Sequence, residues 1–325
     1  MKIVFLGTGD FAVPALEAVH RAGHQVSLVV SQPDRPQGRG LTLRPTPVKA
    51  AALALGLRVF QPEKLRLEPG PVIAEKADVL VVVAYGQILR ENILECARWG
   101  AVNVHASLLP KYRGAAPIQW AIANGEVRTG VTTMQLDRGM DTGPILLQKE
   151  CAIEPDDTTA TLEPRLAALG ASLLIETLEG LAKGTLVPRA QDESLATRAP
   201  LIRKGDGTID FLREAVEIAS RLRGFSPWPG VQFLHLGRSI KILDAVAAAT
   251  RTEASPIGTV LGVSREGVDV ACGGGSTLRL LRVQPESRGP VSAFDFANGA
   301  KLKPGTLLGA PDGAGPASRP SDPKD

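Results

Sequence analysis

Apolar and polar positions along this chain follow two regimes. Up to about residue 187, short apolar runs alternate with stretches of helical spacing. From about residue 231 onward, short strand-like runs succeed one another with only glycine and polar turns between them. In the first regime, Ile3-Val4-Phe5-Leu6 reads as a strand, 12–22 as a helix closed by Gly23-His24-Gln25, and 26–30 as a second strand. That βαβ opening predicts a parallel sheet. A helix over 46–55 and a strand at Arg58-Val59-Phe60 follow. Residues 79–84 form a nearly continuous β-branched run, as expected of a central strand buried on both faces. Tyr85 and Gly86 come directly after it, at the strand end where open α/β sheets place their ligands. Apolar segments at 93–97 and 101–104, a helix at 117–123, strands at 130–135 and 144–150 and a long amphipathic helix over 158–181 complete this half.

Two stretches interrupt the periodicity. Residues 31–47 hold four prolines, two glycines and Arg35, Arg39 and Arg44. They read as an irregular loop, long for a connection within a compact domain, whose arginines suit phosphate or else merely face solvent. Residues 188–205 are polar and aperiodic and read as an interdomain linker. Beyond a helix at 213–223, five short strands at 231–236, 239–246, 258–262, 268–272 and 277–283 suggest a small OB-like β-barrel, with a last helix over 291–299. The expected fold class is therefore α/β: a doubly wound, mostly parallel sheet over 1–187, then the linker, then an OB-like barrel over 206–308. The Gly-, Pro- and Ser-rich residues 309–325 read as a disordered tail.

Composition narrows the function. A net charge of +3 on 325 residues does not mark a nucleic-acid binder, so any basic footprint must be local. Three distant cysteines, Cys96, Cys151 and Cys272, argue against a disulfide framework or a zinc knuckle. No apolar run approaches the roughly 18–20 residues of a membrane span, and Met1-Lys2 leads straight into a strand, so the expectation is a cytoplasmic protein without membrane association. Gly7-Thr8-Gly9 with Asp34 resembles a dinucleotide fingerprint, which would make the chain an NAD-dependent oxidoreductase. The same glycines equally turn a tight strand–helix corner.

Candidate chemistry concentrates between Asn103 and Gly143. Asn103 and His105 stand two apart at a strand end, so their side chains share a face. Asp141 lies in Gly139-Met140-Asp141-Thr142-Gly143. An amide donor, an imidazole and a partnering carboxylate suit an oxyanion developing at a carbonyl. A nucleophilic triad of Ser107, His105 and Asp141 is the rival, but Ser107 has no Gly-x-Ser-x-Gly elbow and Ser107-Leu108-Leu109-Pro110 reads as a ligand-shaping turn. With only four histidines, His20, His24, His105 and His235, a metal site is not expected.

Asn103-Val104-His105-Ala106-Ser107-Leu108-Leu109-Pro110, Arg113-Gly114-Ala115-Ala116-Pro117 and Asp141-Thr142-Gly143 resemble the 10-formyltetrahydrofolate-dependent formyltransferases. Residues 5–11, 32–40, 81–86 and Pro227-Trp228-Pro229 narrow the resemblance to the branch acting on methionyl-tRNA, over about residues 1–310. The resemblance implies a doubly wound domain without a nucleotide cofactor, a C-terminal barrel that contacts tRNA, and formyl transfer from 10-formyltetrahydrofolate to the amino group of initiator methionyl-tRNA by a monomer. It assigns catalysis to Asn103, His105 and Asp141. It assigns folate binding to Ser107, Leu108, Leu109 and Pro110, with Tyr85 and Gly86 beside them, and tRNA contact to Arg35, Arg39 and Arg44. Gly9 stands where the family usually has proline, which is what creates the dinucleotide-like pattern. Arg198-Ala199-Pro200 and Phe211 replace the family's commoner linker tyrosine and tryptophan. Other open readings are a formyltransferase acting on a nucleotide sugar or a glycinamide, and a noncatalytic RNA-binding protein built on the barrel.

Overall fold

The computed structural model describes residues 1–37, 42–249 and 255–309. Its chain divides into two compact units: Met1–Ala121, Val127–Pro155 and Ala160–Leu201 form one, and Ile122–Glu126, Asp156–Thr159 and the residues from Ile202 on form the other.

The first unit opens with β1 (Lys2–Gly7), α1 (Val13–Arg21) and β2 (Gln25–Val30). Pro14 at the first turn of α1 is pre-set for a helix start, where its missing N–H costs nothing. Next come β3 (Arg35–Gln37), β4 (Thr42–Arg44) and α2 (Pro47–Ala54), whose first turn is capped by the Thr46 hydroxyl accepting from Lys49 N at 3.2 Å. β5 (Val59–Phe60), α3 (Gly70–Ala74), β6 (Val79–Val83), α4 (Glu91–Leu94), β7 (Ala101–His105), α5 (Pro117–Ala123), β8 (Arg128–Gln135), β9 (Ile145–Ala152) and α6 (Thr159–Lys183) follow. Seven strands form one sheet in the order β5-β2-β1-β6-β7-β8-β9. The first five are parallel, and β8 and β9 are added antiparallel. Strand order reverses between β1 and β6, which is the topological switch point that opens a crevice at the strands' C-terminal ends. β6 is buried along its whole length, as its β-branched run predicts.

Two expectations need correction. Residues 31–47 contain regular structure: β3 and β4 pair as an antiparallel ribbon with Arg35 opposite Arg44 and Pro36 opposite Leu43. A two-stranded ribbon leaves each strand one unpaired edge, where a proline's missing N–H is harmless. Residues 188–205 are not a free-standing linker. Arg189 and Ile145 exchange two backbone hydrogen bonds at 2.8 Å, and Arg113 donates to Thr197 O and accepts from Ala199 N at 2.8 and 2.7 Å. Most of the stretch is thus bound into the first unit.

The second unit begins its regular structure with α7 (Ala215–Gly224) and carries β10 (Val231–His235), β11 (Arg238–Ala248), β12 (Val260–Ser264), β13 (Gly267–Ala271), β14 (Thr277–Pro285), β15 (Val291–Ser292) and α8 (Ala293–Gly299). The five expected strands form an antiparallel sheet in the order β10-β11-β14-β13-β12, and β15 joins β14. Register shifts in β11 near Asp244 bend that long strand, as a bulge does. The expected tail lies, apart from Gly309, outside the described residues.

Candidate active site

The crevice at the switch point is a cavity of about 830 Å³, lined wholly by the first unit. The segment after β6 makes one wall, where Ala84 and Gly86 take left-handed backbone angles (φ 45° and 80°) and turn the chain away from the sheet. Val82, Leu89, Leu94 and Leu136 make that part apolar. Thr8 Oγ1 and Gln32 Nε2 both donate to the Tyr85 carbonyl at 2.9 Å, tying the wall to β1 and to the root of the β3–β4 ribbon. The Tyr85 ring itself is buried with Leu89, Ile93 and Leu94; its hydroxyl has no partner among the described residues, and burial pushes its ionisation up to about 12. Tyr85 therefore lines the cavity with its backbone stretch while its side chain serves the core.

β7 delivers the candidate catalytic pair. Asn103 is half-buried and sits in register between Val82 of β6 and Met134 of β8; His105 is buried. Both line the cavity, together with Val104 and Ala106. The imidazole Nε2 is 2.9 Å from the Tyr112 carbonyl. A carbonyl can only accept, so Nε2 carries a proton and Nδ1 is the edge left for chemistry. Nδ1 lies 3.7 Å from Asp141 Oδ2. That is an ion-pair separation but too long for a hydrogen bond, so the Nδ1–H of a charged imidazole keeps its donor capacity for a third atom.

Asp141 is held in a left-handed conformation (φ 54°), one that aspartate tolerates better than most residues. Its Oδ2 accepts from Gly114 N at 2.8 Å and its carbonyl accepts from Gln191 Nε2 at 2.8 Å. Gly114 is itself at φ 123°, where an added Cβ would stand 2.6 Å from Ala199 O. Gln191 Nε2 also reaches Gly143 O at 2.7 Å, while its Oε1 accepts from Arg113 Nε and Nη2 at 3.0 and 2.8 Å. The buried Arg113 guanidinium forms a two-bond pair with Glu193 at 2.8 Å, which draws the Glu193 carboxyl down in pKa. Arg113, Gln191 and Glu193 thus brace the segment that carries Asp141. Sequence reasoning missed these roles. Gln191 and Glu193 carry no periodicity, and the one available signal was that an arginine embedded in a Gly/Ala/Pro motif needs a partner.

The remaining assignments divide. Gly86 lines the cavity, but Ser107, Leu108, Leu109 and Pro110 do not. Ser107 is fully buried and its hydroxyl donates to Lys111 O at 2.6 Å. Thr132 Oγ1 accepts from Leu109 N and donates to Ser107 O, and Gln148 Nε2 donates to Leu109 O. These polar groups of the turn are spent on the fold, and a buried Ser107 hydroxyl pointed at Lys111 O is no nucleophile. Arg35 and Arg44 are exposed neighbours on the ribbon. Arg39 lies outside the described residues. Gly7 packs tightly, since an added Cβ would meet Phe5 Cε1 at 2.8 Å and Val83 O at 3.0 Å, whereas Gly9 faces open space. Close packing at a strand–helix corner accounts for the first glycine of the dinucleotide-like pattern. Among the described residues, no group of three or more His, Cys, Asp or Glu is placed to hold a metal ion, and no helix is long and apolar enough to cross a membrane.

Comparison with known proteins places this geometry. Residues 1–178 match the formyl transferase family and residues 201–301 its C-terminal domain. The methionyl-tRNA formyltransferase of Solibacter usitatus is 50% identical over 312 residues, 95% of this chain and 99% of the relative. That of Anaeromyxobacter dehalogenans (strain 2CP-1) is 52% identical over 306 residues, 93% and 98% of the two chains. The chain belongs to the methionyl-tRNA formyltransferase family. The glycine pattern after β1 is therefore that of a formyltransferase and not of an NAD-dependent oxidoreductase. Among solved structures, the N-formyltransferase from Helicobacter canadensis, in complex with folinic acid and dTDP-3-aminofucose, superposes with a TM-score of 0.66 at 19% identity, covering 88% of this chain and 99% of that one. WlaRD, a sugar 3N-formyl transferase, gives 0.65 at 17% identity, covering 89% and 99%. At such identities these structures share the fold with this methionyl-tRNA formyltransferase family member and no more.

Proposed function

We propose that this chain transfers the formyl group of 10-formyltetrahydrofolate to the α-amino group of methionine on initiator methionyl-tRNA. The observation that carries the reading is the constellation of Asn103, His105 and Asp141 on one cavity, in a chain 50–52% identical to methionyl-tRNA formyltransferases over 93–95% of its length. The apolar wall of Val82, Leu89, Leu94 and Leu136 suits the flat ring system of a folate, and the turns around Gly86 and Gly139 offer it backbone groups. Ser107 to Pro110 support the site indirectly, by fixing the chain that leads to Tyr112 and Gly114, the partners of His105 and Asp141.

The chemistry then needs no covalent enzyme intermediate. The neutral amine attacks the formyl carbon and the carbonyl oxygen becomes an oxyanion. Asn103 and the Nδ1–H of charged His105 donate to that oxygen, with Asp141 balancing the imidazolium charge across 3.7 Å. The added amine gives a proton to Asp141, coupled to His105; the oxyanion then collapses, the bond from the formyl carbon to the folate N10 breaks, and N10 keeps the electron pair and takes up that proton. The products are N-formylmethionyl-tRNA and tetrahydrofolate. The deciding assay incubates the protein with 10-formyltetrahydrofolate and charged initiator tRNA, with elongator methionyl-tRNA and a nucleotide amino sugar as control acceptors. Formylmethionine on the initiator tRNA is the expected product, and formylation of the amino sugar alone overturns the reading. Asn103→Ala and His105→Ala are each expected to lower kcat by about 100-fold or more while the protein stays folded. A kcat near that of the wild type in either variant removes that residue from the mechanism.

A further inference from the structure

The cavity holds a carboxylate that neither the oxyanion site nor the apolar wall uses. Glu163 lies near the start of α6, half-buried, lining the same cavity as Asn103, His105 and Asp141. Its direction follows from helical spacing, because residues seven apart share a face. Gly170, seven residues on, lies against the sheet, where an added Cβ would stand 2.8 Å from Val104 of β7 and 4.0 Å from Phe11. Thr177, seven further, is buried with its hydroxyl 2.7 Å from that of Thr133 on β8. Glu163 therefore opens the sheet-facing stripe of α6, at the point where the stripe runs out over the cavity. Among the described residues it has no hydrogen bond or ion pair. A half-buried carboxylate without a partner is costly, which suits a group whose partner arrives with substrate. Burial, reinforced by the negative charge of Asp10, raises its pKa. Such a carboxyl is a stronger base than an ordinary glutamate. The other charged groups at this cavity are His105, Asp137, Arg138 and Asp141; Arg138 pairs with Glu91 and Asp141 is engaged by Gly114.

We propose that Glu163 receives the acceptor's α-ammonium group and takes one proton from it, so that the amine attacks in its neutral form. This rests on the formyl-transfer reading above and deepens it by naming the group that selects a cationic amine. The step balances: the ammonium gives a proton to the carboxylate, leaving a neutral amine and a neutral carboxyl, which returns the proton to solvent after the product leaves. Phe11, Pro117, Ile118 and Leu201 line the same cavity and supply the apolar surface that an aliphatic thioether side chain prefers. The proposal separates two proton tasks: Glu163 prepares the amine before attack, and the oxyanion groups act after it.

The test is the pH dependence of kcat/KM for methionyl-tRNA in the full-length wild type, Glu163→Gln and Glu163→Asp, with melting temperatures to verify folding. An α-amino group titrates near 7.7–8.0 and an ester neighbour lowers that, so at pH 8.5 the free amine needs little help. The expected result is a loss of about tenfold in Glu163→Gln at pH 6.5 that shrinks toward none at pH 8.5, with the KM for the folate donor unchanged and activity partly restored in Glu163→Asp. A loss of equal size at both pH values, or no loss at pH 6.5, overturns the proposal while leaving the formyltransferase reading intact. A wild type inactive on methionyl-tRNA overturns both.

Discussion

Asp141 combines two properties that pull against each other: a left-handed backbone (φ 54°) and a carboxylate that must sit in a fixed place. Glycine would relieve the backbone but would remove the charge. The conformation holds because both ends of the residue are tied, the carboxylate to Gly114 N and the carbonyl to Gln191. Asparagine separates the two roles, since it tolerates the same backbone and keeps an oxygen for Gly114 but cannot balance an imidazolium. Asp141→Asn is therefore expected to melt within a few degrees of the wild type while kcat falls by about one to two orders of magnitude. Equal losses in stability and rate would instead make Asp141 a structural residue. His105 shows the complementary case. Its buried ring is fixed by one carbonyl, which decides which nitrogen faces the cavity before any substrate arrives.

At the scale of elements, the β3–β4 ribbon and the wall after β6 grow from one polar cluster. Asp34, just before β3, accepts from Gln61 and from Lys49 of α2, and Gln61 also reaches Gln32 O. These bonds, first that from Gln61 and then that from Lys49, hold the Asp34 carboxyl below the usual aspartate range. A carboxylate depressed in the folded state contributes stability above its unfolded pKa of about 3.9, and loses it as pH falls through the lower folded value. The denaturant midpoint of Asp34→Asn should thus lie below that of the wild type at pH 7, with the gap closing as the pH approaches 3. A gap that persists into acid would show that the asparagine disturbs packing rather than charge. The same elements show what could be read in advance. β1 and β6 were legible because burial on both faces leaves an uninterrupted apolar run, and Asn103 with His105 because a strand's period of two needs no tertiary knowledge. The ribbon was not legible, since two three-residue strands among prolines leave no periodic trace. Nor was the bracing by Gln191 and Glu193, which depends on residues 189–199 returning to β9 and to the Arg113 turn, a contact between positions some 80 apart in the chain.

At the scale of the whole molecule, charge is nearly balanced, and a polyanionic acceptor must be met by local groups. The ribbon offers one such group: Arg35 and Arg44 stand opposite each other in register and are both exposed, with no acid paired to either among the described residues. Two guanidinium groups on one short, proline-stiffened ribbon make a compact phosphate contact, and each phosphate neutralised releases counterions from the nucleic acid. The proposed tRNA role of these arginines predicts a specific pattern. Arg35→Ala and Arg44→Ala should raise the KM for methionyl-tRNA severalfold at about 0.15 M salt and leave the folate KM unchanged. Each should also flatten the dependence of log KM on log salt by about one unit, because one fewer phosphate is neutralised. Counterion release is independent of the chemical step, so kcat at saturating tRNA should stay within about twofold of the wild type. If either arginine instead positions the aminoacyl end at Asn103 and His105, the salt slope will hold steady and kcat will drop. The two quantities measured together on one variant therefore decide between a docking contact and a catalytic one.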